Sequence, residues 1–461
     1  MVSVTVEDFG PFERAEVEVR PLTIFIGRNS VGKSMLSYLL WSLSSAYPKF
    51  DEVKVGWEEV YRLAEEILND VKVGRVSREK FESLIRIFHD RVFVEAARIG
   101  LEERLKYAFG TELRELVRVG RSRARIDVRG KCARMELSIA ETLRVEELDL
   151  CIEGLLRIFE LKPSRGGVLK ISYEGRTESA ASVADLINAI IGLFAYHVGP
   201  EFEFMVLGFP TFAPMLPDSR AGIARTLLKP FISPSLLKGV LGVDEEFVST
   251  YFRLAEWLRK NPGVLSNAKA LLNELGVSVD VRLEAGVYNV YVRTWSGKEV
   301  PVSMAPSGVR EVITVVLALL MAGSEEEGRE EIILSTFIEE PEAHLHPRAQ
   351  RALARVIARA VNLGRKVVIT THSDYLISSI NNLILLSQVP KEKLREMGYD
   401  ESEVLSPDKV AVYLVKAEGG SAVVERLRVT EDGIPEDEFT KVVEELLGER
   451  GRIYEALHRG V

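Results

Sequence analysis

The stretch that most constrains this chain is an eight-residue motif near its beginning, GRNSVGKS. Its residues are Gly27, Arg28, Asn29, Ser30, Val31, Gly32, Lys33 and Ser34. The pattern predicts a phosphate-binding loop, because its backbone N–H groups can surround phosphate oxygens while the following helix adds its positive N-terminal end. Lys33 is expected to reach the β- and γ-phosphates of a nucleotide, and the Ser34 hydroxyl is expected to bind Mg²⁺.

The residues on either side of the motif fit the local structure that such a loop needs. Leu22 to Ile26 form a short apolar run suited to a buried strand, and Met35 to Trp41 form a mostly apolar run suited to a helix that ends before Pro48. A glycine-rich sequence by itself also fits an ordinary tight turn. Because strand, loop and helix follow one another in the required order, nucleotide binding is the favoured interpretation.

Composition and charge limit the size of the core, the kind of surface and the cellular location expected for the chain. Its 461 residues with 46% hydrophobic content can fill more than one core, and the formal charge of −9 argues against a surface that is basic all over. The two cysteines, Cys132 and Cys151, lack metal-like spacing, so we expect no disulfide framework and predict a cytoplasmic location. Residues 184–199 are the best membrane-span candidate but are too short, so no membrane partner is expected.

The order of elements predicts an α/β fold in which a large α+β insertion interrupts the nucleotide-binding domain. Regular strands and apolar helices occur at both ends of the chain, whereas the middle mixes charged helices, hairpins and a proline-rich stretch. The predicted parts are an N-terminal piece of the nucleotide domain, the insertion, the C-terminal piece of the nucleotide domain, and a final hairpin and helix. Their ranges are 1–47, 48–276, 277–400 and 401–461.

A second strand–helix–strand unit is predicted in the C-terminal piece. Ile332 to Ile338 and Val367 to Thr371 are apolar runs suited to buried strands, and a helix beginning at Pro347 and stopped by Gly364 connects them. Such a connection makes the two strands parallel, so their carboxyl ends lie on one edge of the sheet. Ligands bind at that edge in sheets of this kind.

Three polar residues directly follow these two strands. Glu339 and Glu340 come after the first strand and His372 after the second, so we expect all three near the phosphate-binding loop. Glu339 can supply a carboxylate to Mg²⁺, Glu340 can position or deprotonate the attacking water, and His372 can hydrogen-bond the γ-phosphate. Considered alone, the glutamates also fit solvated loop charges and the histidine a structural role.

A metal site is a further interpretation of the same region. His344 and His346, together with Glu342, have side chains that bind metals. No further ligand lies at a recognisable spacing, so this interpretation is not favoured.

The combined motifs resemble those of the ABC-type ATPases, in the soluble branch of RecF-like and OLD-family (overcoming lysogenization defect) AAA-like P-loop ATPases. The P-loop matches their Walker A motif, residues 338–347 their Walker B and D-loop segment, and residues 370–373 their switch-histidine motif. Residues 8–12 and 216–222 are also similar to segments of these enzymes.

The resemblance implies ATP and Mg²⁺ as cofactors and a homodimer, with each ATP held between the P-loop of one subunit and a signature loop of the other. The signature candidate is Ala305 to Val309, in which Ser307 and Gly308 precede a helix and offer N–H groups to the opposing γ-phosphate. A plain helix N-cap is the alternative for these two residues.

The chain also departs from the family pattern. Glu339 stands where an aspartate is usual, and no glutamine lies between the P-loop and the signature loop, so the Q-loop residue is missing. Coupling between the nucleotide and the insertion must therefore use another group. The roughly 90 residues after His372 contain no clear TOPRIM nuclease set, so we predict no nuclease in this chain and allow for a separate nuclease or effector subunit.

The favoured function is an ATPase whose nucleotide-dependent dimerisation acts on nucleic acid or on a defence or repair partner. The alternative is an ATP-dependent protein-interaction switch with slow hydrolysis and no direct DNA contact. The energy subunit of a membrane transporter is a third possibility. The long insertion counts against it, and so does the signature loop, in which Pro306 stands at the usual serine position.

A group of basic residues in the insertion bears on DNA binding. Acidic residues are interspersed among them and aromatic stacking residues are absent, so an ion-paired, solvated face is favoured over a grip on the phosphate backbone. The basic residues are Arg114, Arg118, Arg121, Arg123, Arg125, Arg129, Lys131 and Arg134.

Overall fold

Strands and helices alternate through most of the chain in a computed structural model of the protein. The residues it describes are 2–131, 133–173, 175–201, 213–227, 242–284, 286–321, 325–326, 329–330, 335–435 and 437–458.

The described residues form strands in which β-branched and aromatic side chains recur. In chain order they are β1 (Val2–Phe9), β2 (Phe12–Val19), β3 (Leu22–Gly27), β4 (Ala124–Arg129), β5 (Arg134–Ile139), β6 (Leu143–Asp149), β7 (Phe159–Ser164), β8 (Val168–Tyr173), β9 (Arg176–Ala180), β10 (Met215–Leu216), β11 (Val277–Glu284), β12 (Val287–Thr294), β13 (Glu299–Pro301), β14 (Glu325–Glu326), β15 (Arg329–Glu330), β16 (Ser335–Glu339), β17 (Lys366–Thr371), β18 (Val410–Glu418) and β19 (Ser421–Leu427).

The helices lie between strands in chain order, except for α14, which follows the last strand. They are α1 (Lys33–Ser45), α2 (Trp57–Lys72), α3 (Arg78–Phe88), α4 (Val94–Phe109), α5 (Ile152–Ile158), α6 (Val183–Glu201), α7 (Arg220–Leu227), α8 (Gly242–Lys260), α9 (Lys269–Leu275), α10 (Ser307–Leu320), α11 (Pro347–Asn362), α12 (Asp374–Leu385), α13 (Lys391–Glu396) and α14 (Asp437–His458).

Within the described residues, one mixed sheet of eleven strands runs in the order β10-β16-β17-β3-β18-β19-β2-β1-β4-β5-β6. Its first five strands are mutually parallel, with β17 between β16 and the P-loop strand β3. The predicted α/β fold and the predicted parallel strands of the second strand–helix–strand unit are therefore present. The carboxyl ends of β16, β17 and β3 lie side by side at one edge, as expected for strands joined by helical connections.

The central strand β3 is buried on both faces. Phe25 packs into one hydrophobic cluster, whereas Ile24 and Ile26 pack into a second cluster on the other side of the sheet. This division follows from the two-residue period of a strand, and the uninterrupted apolar run is typical of a parallel strand covered on both faces. The P-loop therefore begins at the end of a strand that is buried on both faces.

The segment predicted as an insertion contributes strands to the central sheet. β4, β5 and β6 extend its antiparallel end beyond β1, and β10 pairs in parallel with β16. One of the hairpins of the middle segment is β4 paired with β5 around Gly130. Within the described residues, β7–β9 and β11–β13 form two separate three-stranded sheets. The middle of the chain is thus continuous with the sheet that carries the P-loop.

The C-terminal hairpin lies in the centre of the sheet. β18 pairs in parallel with the whole length of β3, and β19 continues the sheet toward β2. The sequence pattern indicated this hairpin but not its position. Two strands that are distant in the chain from β3 therefore close the gap between the P-loop strand and the N-terminal strand pair.

One expectation from the cysteine count is wrong. Cys151 is disulfide-bonded, although two cysteines in an otherwise cytosolic-type composition favoured no disulfide. Cys132, the other cysteine of the chain, lies outside the described residues. Disulfides persist mainly in oxidising compartments, with intracellular proteins of hyperthermophiles as an exception, so the cysteines do not support the cytoplasmic prediction. In the part of the chain that the structure describes, no helix is long and apolar enough to cross a membrane.

Candidate functional site

The P-loop has the backbone conformation that its glycines permit. Gly27, Ser30 and Gly32 have φ angles of 139°, 63° and 102°, and α1 begins directly after Gly32. A Cβ atom at Gly27 would lie 2.1 Å from the carbonyl oxygen of Val415 in β18, and one at Gly32 would lie 2.7 Å from the ring of Phe12. Both positions therefore require glycine, because side chains rarely adopt these angles and no space exists for them.

Lys33 lies inside this loop. Its Nζ donates to the carbonyl oxygens of Gly27 (3.1 Å) and Arg28 (2.7 Å), and its side chain is buried. Burial lowers the pKa of Lys33, while the charges of Glu340 and Glu339 act in the opposite direction. The ammonium group is thus held at the mouth of the loop by acceptors that phosphate oxygens can replace.

A cavity of about 500 Å³ opens in front of the loop and gathers residues from five separate parts of the chain. Its position at the carboxyl ends of β3, β16 and β17 agrees with the edge predicted from the strand order. The cavity is lined by Pro11, Asn29, Ser30, Gly32, Lys33, Ser34, Met35, Asp218, Glu339, Glu340, Thr370 and His372.

Glu339 ends β16 at the base of the cavity and is only 2% exposed. Its Oε2 accepts hydrogen bonds from the Tyr38 hydroxyl (2.8 Å) and from the backbone N–H of Asp218 (3.3 Å). Burial raises the pKa of Glu339, against the effect of hydrogen bonds from Ser34 and Tyr38. A buried carboxylate beside a hydroxyl is a hard-oxygen donor set that a bound divalent cation would stabilise in its charged form, so Ser34 and Glu339 fit Mg²⁺.

Glu340 and His372 lie next to each other in the lining of the cavity. The Nε2 of His372 lies 3.3 Å from Oε1 of Glu340. Glu340 has a φ of 44°, in the left-handed region, and its N–H donates to the carbonyl oxygen of Thr370 at 2.9 Å. Burial and the charge of Lys33 lower the pKa of His372, whereas Glu340 and a hydrogen bond with the Gly27 backbone act in the opposite direction. The imidazole is therefore neutral near pH 7.

The remaining P-loop residues lie outside the cavity lining. Gly27 and Arg28 turn their carbonyls toward Lys33, Arg28 is exposed, and Val31 packs into the core. These three residues therefore shape the backbone of the loop and do not line the cavity.

The signature candidate lies apart from the cavity of its own chain. Ser307 begins α10, and Pro306 occupies the N-cap position without a side-chain cap. A Cβ atom at Gly308 would lie 2.6 Å from the carbonyl oxygen of His344, which has a φ of 58°. Ser307 and Gly308 do not line the cavity of this chain, and their contact with a second nucleotide stays a prediction.

The three residues of the alternative metal site turn to different partners. Glu342 accepts hydrogen bonds from Thr371 Oγ1 and from the backbone N–H of His372. His344 lies against Glu311, and His346 accepts the N–H of Arg348 at the start of α11. Glu342 thus fixes the start of the loop that carries His372.

Two residues of the cavity region were not assigned a role from the sequence. Asp218 lines the cavity beside Glu339, and Arg220 is completely buried behind it with hydrogen bonds to the carbonyls of Glu339 and Glu340. Both belong to the segment 216–222. The resemblance of this segment to RecF-like and OLD-family enzymes was the only sequence feature that pointed to them. An isolated aspartate or arginine in a proline-rich stretch carries no periodic or spacing pattern that would single it out.

Comparison with known proteins points in the same direction as the geometry. Residues 245–377 match the family model of the AAA ATPase domain. The matched range contains the signature candidate, both glutamates and His372, but not the P-loop. No curated protein matches the chain. The family match and the P-loop geometry together support a P-loop ATPase of the ABC/AAA-like type.

Among solved structures, the chain is similar to heads of SMC proteins. An Smc head bound to the C-winged helix domain of ScpA has a TM-score of 0.44 at 10% identity, covering 93% of this chain and 98% of that chain. The SMC head domain from Thermotoga maritima has a TM-score of 0.37 at 11% identity, with the same two coverages of 93% and 98%. An Smc head with an extended coiled coil, bound to a ScpA domain derived from Pyrococcus furiosus, has a TM-score of 0.41 at 10% identity and covers 97% and 100%. Similarities at this level carry no argument about the activity of this chain.

Proposed function

We propose that this chain binds and hydrolyses ATP with Mg²⁺, as a soluble RecF-like or OLD-like relative of the ABC ATPases. The observation that supports this proposal most strongly is the meeting of Lys33, Glu340 and His372 around one cavity. These residues come from three distant segments, and each follows a strand whose carboxyl end lies at the same edge of the sheet. A phosphate cradle, a carboxylate and an imidazole at one point match the requirements of phosphoryl transfer to water.

The residues of the cavity divide into binding and catalytic roles. The P-loop from Gly27 to Ser34 holds the triphosphate, and Lys33 exchanges its two carbonyl acceptors for β- and γ-phosphate oxygens. Ser34 and Glu339 would hold Mg²⁺, which when bound would neutralise charge on the phosphates. Glu340 accepts a proton from the attacking water, and neutral His372 contacts the γ-phosphate while keeping Glu340 in place.

A homodimer completes the site in this proposal. Ser307 and Gly308 lie at the N-terminal end of a fourteen-residue helix, where backbone N–H groups and the helix dipole attract an anion. Their position outside the cavity of their own chain supports a contact with the nucleotide of a second copy. We assign the dimer the role of acting on nucleic acid or on a nuclease, defence or repair subunit in the cytoplasm.

The domain ranges stated above remain part of the proposal. Residues 1–47 and 277–400 carry the ATP site, 48–276 extend the sheet toward the partner or substrate, and 401–461 add the hairpin β18–β19 and α14. The pairing of β10 with β16 supports direct communication between the middle segment and the ATP site.

An ATP-dependent protein-interaction switch without DNA contact is the second candidate, and the ion pairing of the basic cluster favours it. Arg129 and Arg134 both lie within 3.3 Å of Asp127, Arg118 pairs with Glu13, and Arg121 pairs with Asp8. Arginines neutralised in this way release few counterions on binding DNA and so contribute little to affinity. ATP turnover of the wild type with and without double-stranded DNA separates the two candidates, because a DNA-directed ATPase is stimulated and a protein switch is not.

The proposed function is tested by the variant Lys33→Ala. Loss of the Lys33 ammonium group removes the main positive charge that faces the triphosphate. Mg²⁺-dependent ATP binding and phosphate release should therefore both fall to background. The matched control is Lys391→Ala, which removes an exposed lysine paired with Glu401 far from the cavity and should retain wild-type turnover. Binding and turnover that survive in Lys33→Ala would contradict the assignment of the P-loop.

A further inference from the structure

A buried arginine holds the backbone of both functional glutamates from behind the cavity. Nη1 of Arg220 donates to the carbonyl oxygens of Pro217 (2.9 Å) and Glu339 (2.5 Å), and Nη2 donates to that of Glu340 (2.5 Å). The residue is 0% exposed. A guanidinium is a rigid planar fork, so these bonds fix the orientation of two successive peptide groups at the end of β16.

A buried glutamate connects this arginine to the signature helix. Glu311 lies on α10, about one turn after Ser307, and is 1% exposed. Its Oε2 lies 3.8 Å from Nη2 of Arg220, and its Oε1 lies 2.9 Å from Nδ1 of His344. One carboxylate therefore contacts both the group behind Glu340 and the loop that follows it.

His344 closes the path to the signature loop. It lies four residues after Glu340, its side chain is 58% exposed, and its carbonyl oxygen packs on Gly308. A displacement of Gly308 or of the first turn of α10 must therefore move His344, Glu311 or both.

We propose that Arg220 is a positioning residue for Glu340 and that Glu311 and His344 couple it to the signature loop. This inference rests on the proposed function, because it requires Ser307 and Gly308 to engage the nucleotide of a second copy. When Ser307 and Gly308 bind that nucleotide, the first turn of α10 moves. The contact of Glu311 with Arg220 transmits this movement to the carbonyl of Glu340. The relay supplies the coupling group that the missing Q-loop glutamine left unassigned.

The charge distribution makes this relay sensitive to single substitutions. Arg220 is attracted by four carboxylates, those of Glu311, Glu342, Glu339 and Glu340. Within a buried cluster, loss of one charge changes the balance of the others because water does not screen them.

The test uses Glu311→Gln, which removes the charge and keeps the size. The relay predicts ATP binding and ATP-dependent association within about twofold of wild type, with a fall in kcat of about a hundredfold, the scale expected when a catalytic group is misplaced by about 1 Å. Glu403→Gln is the matched control, because Glu403 is equally buried and is paired with Arg355 and Arg359 away from the cavity. It should lower the melting temperature without changing the kcat of the folded protein.

A second pair of variants addresses the arginine. Arg220→Lys keeps the charge but cannot hydrogen-bond three carbonyls in one plane, so it should show the same separation of binding from turnover. The control Arg365→Lys changes another buried arginine, which donates to the carbonyls of Ala318 and Leu320 at the other end of α10. His344→Ala, at an exposed position that tolerates truncation, should reduce kcat in the same direction.

The outcomes separate the relay from a structural role and from the proposed function. Unchanged kcat in Glu311→Gln and His344→Ala would overturn the relay. A loss of turnover that is fully explained by weaker ATP binding or by a smaller folded fraction would overturn it as well. A wild-type protein that hydrolyses no ATP, or does not associate in ATP, would instead overturn the proposed function.

Discussion

Glu340 combines a strained backbone with a fixed side chain. A residue other than glycine in the left-handed region costs of the order of 1–3 kcal/mol and persists only where its surroundings hold it. Here its N–H donates to Thr370 and its carbonyl accepts from Arg220, while its carboxylate lies 3.3 Å from His372. These contacts hold the strained backbone of Glu340 and fix the direction in which its carboxylate points into the cavity. A general base requires such a fixed direction.

The lowered pKa of His372 gives a prediction for pH dependence. The unfolded chain binds a proton near the ordinary value of 6.5, but the folded protein binds it only at lower pH. Stability contributed by the neutral imidazole is therefore complete above about pH 6.5 and is lost as the pH falls toward the lower folded pKa. A protonated imidazole would also pair with Glu340, so kcat should decline over the same range.

The comparison of pH profiles for wild type and His372→Gln checks this point. The glutamine variant should have lower kcat at pH 7.5 but a flatter profile between pH 7 and pH 5. An acidic limb of the same shape in both proteins would assign the titration to another group.

At the scale of single residues, the sequence predicts those functional groups that follow a recognisable strand. Glu339, Glu340 and His372 are predicted in this way, because each follows an apolar run whose carboxyl end must lie at the ligand-binding edge, whereas Lys33 is predicted from the spacing of the P-loop motif. Arg220 could not be predicted, since its role depends on the backbone carbonyls of a strand more than a hundred residues later in the chain. No pattern in its own neighbourhood records that contact.

At the scale of elements, the position of β18 was the main gap in the sequence-based prediction. Alternating residues indicate a hairpin, but they do not indicate which strand it pairs with. In the structure, Val410, Val412 and Leu414 of β18 are buried against the P-loop strand, and Val415 leaves room only for glycine at position 27. The hairpin is therefore part of the support of the nucleotide site.

Two truncations test the different roles of the last two elements. Removal of residues 410–461 exposes β3 and takes away several buried side chains, each worth about 1.5–3 kcal/mol, so the shortened chain should show no cooperative melting. Removal of residues 444–461 takes away a part of α14 whose described residues are all exposed, so the melting temperature should be unchanged. Calorimetry of both proteins provides the measurement, and a cooperative transition in the shorter one would show that β18 is dispensable.

At the scale of the whole molecule, a mixed sheet joins segments that the sequence separates into domains. The N-terminal strands, the middle segment and the C-terminal hairpin all contribute to the eleven strands described. The two strands β16 and β17 and the P-loop strand lie in its parallel half, with β10 at the edge beside β16. The middle segment therefore contacts the proposed ATP site through β10 and the segment that carries Asp218 and Arg220.

The most direct test of the account is phosphate release by Glu340→Gln in Mg²⁺ and ATP, with the size of the protein measured in the same solution. Glutamine has the shape of the glutamate but does not accept a proton, so turnover should fall by about 10²- to 10⁴-fold while ATP remains bound and holds a dimer together. Turnover at the wild-type rate, with no ATP-bound dimer, would contradict the claim that Glu340 activates water at a site shared by Lys33 and His372.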